Sequence, residues 1–368
     1  MASAPVGPTG VLSLRPEGLY CEAGDFHVDP WRPVDRALVT HGHADHARWG
    51  CGSYLGAHEG RTVLRTRLGA EAAIETLAWG ERRRIGGAIV SFHPAGHILG
   101  SAQIRVEVDG EVWVVTGDYK TAPDPTCTAF ESVRCDVFIT ESTFGLPVFR
   151  WPDESEVFAE IDAWWRGNQD AGRTSLLYGY ALGKAQRLLA GVDASIGPIL
   201  VHGAVEKLNR AYRAVGIELP ETRPANRENA EKFDGEALVI APPSAGGSTW
   251  VRKFQPASDA FASGWMTVRG TRRRRAGDRG FVLSDHVDWP QLLDAVEASG
   301  ADRIWVTHGY TDVVTRFLRE ERGLDARPLP TRFGGEPDGE GGSERGDDAD
   351  PEAEVEPKDI PPTNPVAE

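Results

Sequence analysis

The sequence predicts an α/β protein built in two styles, stacked β-sheets in its first part and a parallel sheet carried on helices in its second. Three observations carry this expectation. The first 144 residues read as short β-rich runs divided by turns, with few helical stretches. From Asp153 onward apolar strands alternate with amphipathic helices, which is the βαβ rhythm of a parallel sheet. A chain of 368 residues is also too long for one small core and suits one large domain or two.

Taken in order, the strand candidates are LYCEAGDFHV, RALVT, GAIVSFHP, QIRVEV, EVWVVTGDY and CDVFITEST, and VDGEV between two of them is the clearest hairpin turn. The second part then runs DESEVFAEIDAWWRG, TSLLYGY, ALGKAQRLLAGV, GPILVHG, AVEKLNRAYRAVG and EALVIAPP, alternating helix with strand. A closing block repeats strand, helix, strand, helix in GFVLSDH, DWPQLLDAVEASG, DRIWVTHG and YTDVVTRFLREERG. Asp288 is a natural N-cap there, with Pro290 in the first turn.

Composition narrows the function classes. At 40% hydrophobic and 26% charged residues, the chain lies in the ordinary globular range, and collagen-like, coiled-coil and wholly disordered readings fall away. No run approaches the roughly 18 apolar residues of a membrane span, and the opening MASAPVGPTGVLSLRPEGL has no basic segment followed by an apolar one. A cytoplasmic protein with no membrane partner is expected. Cys21, Cys51, Cys127 and Cys135 lack CxxC spacing, which argues against a disulfide framework and against a thiolate zinc site. The formal charge of −15 is concentrated near the end, where residues 336–368 hold 12 acids and 2 bases, leaving −5 for the rest. Net charge therefore does not choose the partner. Segment 334–368, made of Gly, Pro and acids without aromatics, is expected to be a disordered acidic tail.

The decisive local feature is HGHADH, His41 to His46, placed directly after the apolar run ALVT. Along extended backbone His41 and His43 point to one side, close enough to grip one ion at about 2.0–2.1 Å through imidazole nitrogen. Asp45 and His46, just beyond, would turn to a second ion. Imidazole with carboxylate suits zinc and also manganese. Three more candidates share the setting of a His or Asp just past an apolar strand: His97 in SFHPAGHILGS, Asp118 in WVVTGDY and His308 in IWVTHGY. Taken singly each has an ordinary explanation as a surface or turn residue; together with HGHADH they make a set.

With these residues in place the chain resembles the metallo-β-lactamase superfamily, whose HxHxDH hallmark corresponds to His41, His43, Asp45 and His46. The later histidine of that fold resembles His97, its metal-bridging aspartate Asp118, and an early supporting aspartate Asp29 in FHVDP. FITESTFG, SLLYGYALGKAQRLL, FVLSDHVDW and WVTHGY narrow the likeness to the β-CASP branch of nucleic-acid-processing enzymes. The order of motifs over roughly residues 10–333 is most similar to the bacterial ligase-associated DNA exonucleases, relatives of mRNA 3′-end processing factors.

The resemblance implies an αββα sandwich from residues 1–145 and 281–333, an inserted β-CASP α/β domain at 146–280, and the tail 334–368. It implies two divalent ions, zinc first and manganese second, one held by His41, His43, His97 and Asp118 and the other by Asp45, His46, Asp118 and His308. It also implies His286 as a general acid paired with Glu141. The expected activity is a nuclease that hydrolyses phosphodiester bonds with a two-metal-activated water, as a DNA 3′ exonuclease working beside a ligase or helicase. An RNA-processing nuclease of the same branch is the alternative for substrate. A small-molecule metallohydrolase or a non-catalytic scaffold are the alternatives for class; the first needs no inserted domain, and the second would have lost metal ligands. For substrate grip, Lys184 and Gln186 open the helix after TSLLYGY, where free N–H groups favour phosphate. The run Arg272 to Arg275 would add phosphate contacts, and Trp265 or Tyr180 would stack bases.

Overall fold

The structure, a computed structural model, describes residues 7, 8, 10–270 and 277–331. The expected tail and the run Arg272 to Arg275 lie outside the described residues.

Two sheets face one another across an apolar core. The first contains, in spatial order, Ser13–Arg15, Gly18–Cys21, Phe26–Val28, Arg36–Leu38, Ser53–Ala57 and Ile74–Leu77. The second runs Asp325–Pro328, Arg303–Thr307, Val137–Glu141, Glu111–Val115, Ala102–Val108, Ala88–Pro94 and Arg83–Ile85. Side chains alternate as a two-residue period requires. Trp113, Val115, Val137 and Ile139 point inward against Phe26, Val28, Leu38 and Leu55 of the first sheet. Val114, Phe138, Ile304 and Val306 point outward beneath helices Trp289–Ser299 and Thr311–Arg322, where Leu292, Val296, Val314 and Leu318 cover them. On the far side Ala37, Val39 and Tyr54 lie under Leu64 and Leu68 of helix Arg61–Leu68. The layers are therefore helix, sheet, sheet, helix. That helix is the one α-helix among the described residues of the first part. Its sequence RTVLRTRL has no N-cap side chain, and it forms because an apolar stripe finds a sheet to cover.

The expected hairpin forms at Asp109 and Gly110, both with positive φ, the two-residue turn whose twist matches paired antiparallel strands. Asp288 caps its helix, accepting from the Gln291 N–H at 3.0 Å.

A third sheet, Arg223–Pro224, Ile199–Val201, Leu238–Ala241, Thr174–Tyr178, Ala257–Ala262 and Arg279–Phe281, is parallel throughout, as the βαβ rhythm predicts. Helices Glu154–Asp170, Lys184–Gly191 and Gly203–Arg213 pack on one of its faces through Ile161, Trp165, Leu188 and Tyr212. One expectation changes here. The strand within GFVLSDH is only Arg279–Phe281, and it closes the third sheet; residues 283–288 leave it as irregular chain. The short strand ends because Ser284, Asp285 and His286 bond side chains and other segments in place of a strand partner.

Among the described residues no helix is long and apolar enough to cross a membrane. All four cysteines are free.

Candidate metal centre

The site forms where the second sheet delivers several strand ends to one edge. Glu111–Val115, Val137–Glu141 and Arg303–Thr307 pair in parallel, with Val115 opposite Ile139 and Glu141 opposite Thr307. The residues just beyond them, Asp118 and His308, and Glu141 itself, therefore emerge together. His97 follows Ala88–Pro94, which runs in the same direction because two antiparallel pairings separate it from Glu111–Val115. HGHADH arrives from the facing sheet, and the Thr40 carbonyl accepts from the Ala102 N–H at 2.8 Å to tie the two sheets together at this edge. Gly117 makes the approach possible. Its φ is +58°, and a Cβ there would stand 2.5 Å from Thr40 Oγ1.

His41, His43, His97 and Asp118 bring one donor atom each to within 4.8 Å of one another. His43 Nδ1 lies 3.0 Å from His41 Nε2 and 3.2 Å from His97 Nε2. Asp118 Oδ2 stands 3.6, 3.5 and 3.8 Å from Nε2 of His41, His46 and His97. These carboxylate distances are long for hydrogen bonds. They are close to the separation of about 3.4 Å between two donors that each sit about 2.0–2.1 Å from one ion at a tetrahedral angle.

Each ring is held from behind by its other nitrogen. Thr40 Oγ1 donates to Asp29 Oδ2 at 2.6 Å, so it accepts from His41 Nδ1 at 3.1 Å. His43 Nε2 donates to the Leu182 carbonyl at 3.2 Å, and His97 Nδ1 to that of Asp285 at 2.9 Å. His46 Nδ1 meets Asp29 Oδ2 at 2.7 Å. Every ring thus turns its remaining nitrogen inward. Burial, reinforced by the neighbouring imidazoles, pushes His41 and His97 well below the ordinary histidine value, and burial lowers His43 as well. Three neutral rings pointing lone pairs at one spot repel unless a cation lies between them. His46 Nε2 is buried and finds no hydrogen-bond partner, standing 3.5 Å from Asp118 and 3.6 Å from Asp45. Burial disfavours its charge, but Asp45, Asp118 and Asp29 outweigh burial and hold it well above the ordinary value. The donor set fits divalent ions.

Asp45 joins through His46. His308 is set with its ring centroid 5.8 Å from that of His46, at a backbone φ of +55° unusual for a side chain with Cβ. The Ser142 hydroxyl donates to the His308 carbonyl and steadies this conformation.

Beside the cluster, His286 Nδ1 lies 2.8 Å from Glu141 Oε1, and its ring stands 4.8 Å from that of His97. Glu141 is 1% exposed and also accepts from the Tyr119 N–H at 3.1 Å and the Thr143 N–H at 3.3 Å. Asp118, Glu141 and His286 form a second group with donors within 4.8 Å.

The expected phosphate and base contacts lie elsewhere. Lys184, 2% exposed, donates to the Leu283 carbonyl at 2.8 Å and pairs with Asp285 at 2.9 Å. Gln186, fully buried, accepts from the Gly183 N–H at 2.7 Å and donates to Asn209 at 2.9 Å. These polar ends are turned into the protein because the helix that carries them is packed on every side. Trp265 is buried against Phe144, their ring centroids 4.8 Å apart, and Tyr180 is half-buried. Sequence reasoning also passed over Thr40, Asp285 and Arg187. Thr40 directly precedes His41, and Lys184 and Arg187 stand three apart on one helix face, which are the signals that point to them.

No family model matches the chain. Relatives do. It is 32% identical over 312 residues to a protein of Opitutus terrae named as a probable DNA ligase, covering 84% of this chain and 30% of that one. It is 31% identical over 186 residues to cleavage and polyadenylation specificity factor 73 of Drosophila melanogaster, covering 46% of this chain and 27% of the factor. An RNase J-like protein of Methanocaldococcus jannaschii is 27% identical over 200 residues, 47% of this chain and 46% of its own. The chain belongs to the β-CASP branch of the metallo-β-lactamase family. It spans less than half the length of each of these three relatives. A crystal structure of a protein of unknown function from Enterococcus faecalis V583 superposes with a TM-score of 0.55 at 11% identity, covering 81% of this chain and 79% of that one. That likeness concerns the fold alone.

Proposed function

We propose that this protein is a metal-dependent nuclease that hydrolyses phosphodiester bonds, with DNA 3′ ends as its substrate. The observation that supports this most directly is the meeting of His41, His43, His97 and Asp118 beside the Glu141–His286 pair. On this reading residues 1–145 and 281–333 form the catalytic sandwich and 146–280 the inserted domain, and the protein works in the cytoplasm. His41, His43, His97 and Asp118 would hold one ion, and Asp45, His46, Asp118 and His308 the other. Three imidazoles with a carboxylate favour zinc over manganese for the first. When bound, such ions supply Lewis-acid polarisation of the phosphoryl group and activation of the nucleophile.

The chain's own groups do the rest. Thr40, Asp29 and the carbonyls of Leu182 and Asp285 fix the ring orientations. Glu141 holds His286 by Nδ1, which leaves Nε2 to give a proton to the departing 3′-oxygen. The hydrogen bonds from Tyr119 and Thr143 keep the Glu141 carboxylate in place for that task. For base stacking we propose Trp49, 62% exposed and three residues past His46, in place of the buried Trp265.

The match to a chain named as a DNA ligase, over 84% of this protein, supports DNA and a ligase partner. The relative named as RNase J-like favours RNA as the second reading. The two are separated by incubating the zinc- or manganese-loaded protein with 5′- and 3′-labelled DNA and RNA. Stepwise loss of label from DNA 3′ ends supports the first reading; cleavage of RNA alone overturns it. Asp45→Ala and His286→Ala should each abolish cleavage, and only Asp45→Ala should lower bound metal. A fully active His286→Ala ends the general-acid role.

A further inference from the structure

A buried ionic network joins the inserted segment to the metal edge. Lys184 and Arg187 project from one face of helix Lys184–Gly191 onto residues 283–285, the segment that leads into His286. Lys184 Nζ donates to the Leu283 carbonyl at 2.8 Å, and Arg187 donates to the Ser284 carbonyl. The Asp285 carboxylate is shared between them, at 2.9 Å from each. The Asp285 carbonyl then accepts from His97 Nδ1 at 2.9 Å, and the Ser284 hydroxyl accepts from the His286 N–H at 3.1 Å. Three successive carbonyls are therefore taken up by two cations and one ring of the proposed metal centre. From its other edge Arg187 reaches Asp124 at 3.3 Å and pairs with Glu154, and Lys120 bonds both acids, at 3.3 and 3.2 Å. Three cations balance three acids. Asp124 and Lys120 lie in the first part of the chain, Glu154, Lys184 and Arg187 in the middle and Asp285 near the end, so the network fastens all three together.

We infer that Arg187, with Lys184, is a positioning residue: it clamps the 283–285 segment so that His97 presents Nε2 to the metal and His286 stays registered beside it. The inference rests on the proposed metal centre and goes beyond it, since neither residue touches a ligand nitrogen. Surface exposure has no part in it, because Arg187 is 3% exposed and is engaged by Ser284, Asp285, Asp124 and Glu154. A purely structural ion pair would serve equally well anywhere in the junction. This one is spent on the side chain of Asp285, whose carbonyl fixes the His97 tautomer, and on the two carbonyls just before it.

The test compares zinc-loaded wild type, Arg187→Gln and the charge-balanced Arg187→Gln/Asp124→Asn, in which Asn keeps the oxygen that accepts from Thr126. Thermal midpoint, zinc content, the rate of zinc loss to excess EDTA, and kcat and KM on labelled single-stranded DNA are measured. We expect full zinc content but zinc loss about 10–100-fold faster in both variants, with kcat reduced over a similar range and KM within about threefold. The double variant should regain thermal midpoint without regaining zinc retention, and it carries the test if the single variant does not fold. Zinc retention that recovers together with the midpoint, or variants that release zinc at the wild-type rate, would overturn the inference alone. A wild type that binds no zinc overturns the metal reading and this inference with it. A wild type that binds zinc but cleaves no phosphodiester overturns only the nuclease reading, and the zinc-release comparison still decides.

Discussion

Replacing Thr40 by Val tests whether the histidine cluster is a preorganised ligand set or a chance gathering of buried rings. The substitution preserves shape and removes one hydroxyl. That hydroxyl donates to Asp29 Oδ2 at 2.6 Å and accepts from His41 Nδ1 at 3.1 Å. Its loss leaves a buried N–H on His41 without an acceptor, costing about 1–3 kcal/mol, and removes a hydrogen bond to a charged group worth about 1.5–3 kcal/mol. Asp29 keeps the Thr40 N–H at 2.8 Å and His46 at 2.7 Å, so part of the second cost is recovered. A net loss of about 2–4 kcal/mol in the metal-free protein follows. For the loaded protein the relevant quantity is orientation. Losing a partner behind a ligating histidine costs about 10–100-fold in metal affinity, equivalent to about 1.4–2.7 kcal/mol. The assay is competition for zinc against a chromophoric chelator at neutral pH, with urea unfolding of the metal-free protein in parallel. Thr40→Ser, which keeps the hydroxyl, should behave as wild type in both. If Thr40→Val binds zinc within twofold of wild type, the hydroxyl does not orient His41 and the reasoning fails.

Two further outcomes can be checked. Burial alone would raise the pKa of Asp285, but Lys184 and Arg187 outweigh burial and hold it far below the usual carboxylate range. A folded pKa below the unfolded value of about 3.9 gives stability that is complete above that pH and lost as the pH falls below it. In EDTA, wild-type unfolding free energy should drop from pH 5 to pH 3, and Asp285→Asn should start lower and show a shallower slope; equal slopes would contradict the pairing. Trp49→Ala, at a position 62% exposed, should change stability by no more than about 0.5 kcal/mol. On single-stranded DNA it should raise KM by about 5–150-fold, the equivalent of about 1–3 kcal/mol per stacked base. An unchanged KM removes Trp49 from the substrate path.

Much of the molecule was legible in the residue order because it depends on short-range physics. Short apolar, β-branched runs bounded by turn residues in EVWVVTGDY and CDVFITEST mark strands, DG marks the hairpin, and Asp288 before a Pro-containing turn marks a helix start. HGHADH declares ligand chemistry because so many donors in so few residues have few other uses. Helix Arg61–Leu68 was not legible, since its short, uncapped sequence is helical only under the cover of a sheet. The strand in GFVLSDH was overextended for a related reason: an apolar run announces burial but does not say which sheet will accept it.

The sequence by itself determined most of the elements and which side chains could bind metal, because periodicity, capping and donor chemistry are properties of neighbouring residues. Only the tertiary structure decided which charged groups face solvent. Lys184 and Gln186 look like phosphate contacts at a helix start, yet that helix is buried and both are turned to internal partners. The gathering of His97, Asp118, Glu141 and His286 around one point depends on parallel registers between strands far apart in the chain, and Thr40, Arg187 and Asp285 acquire their tasks only once those registers are set.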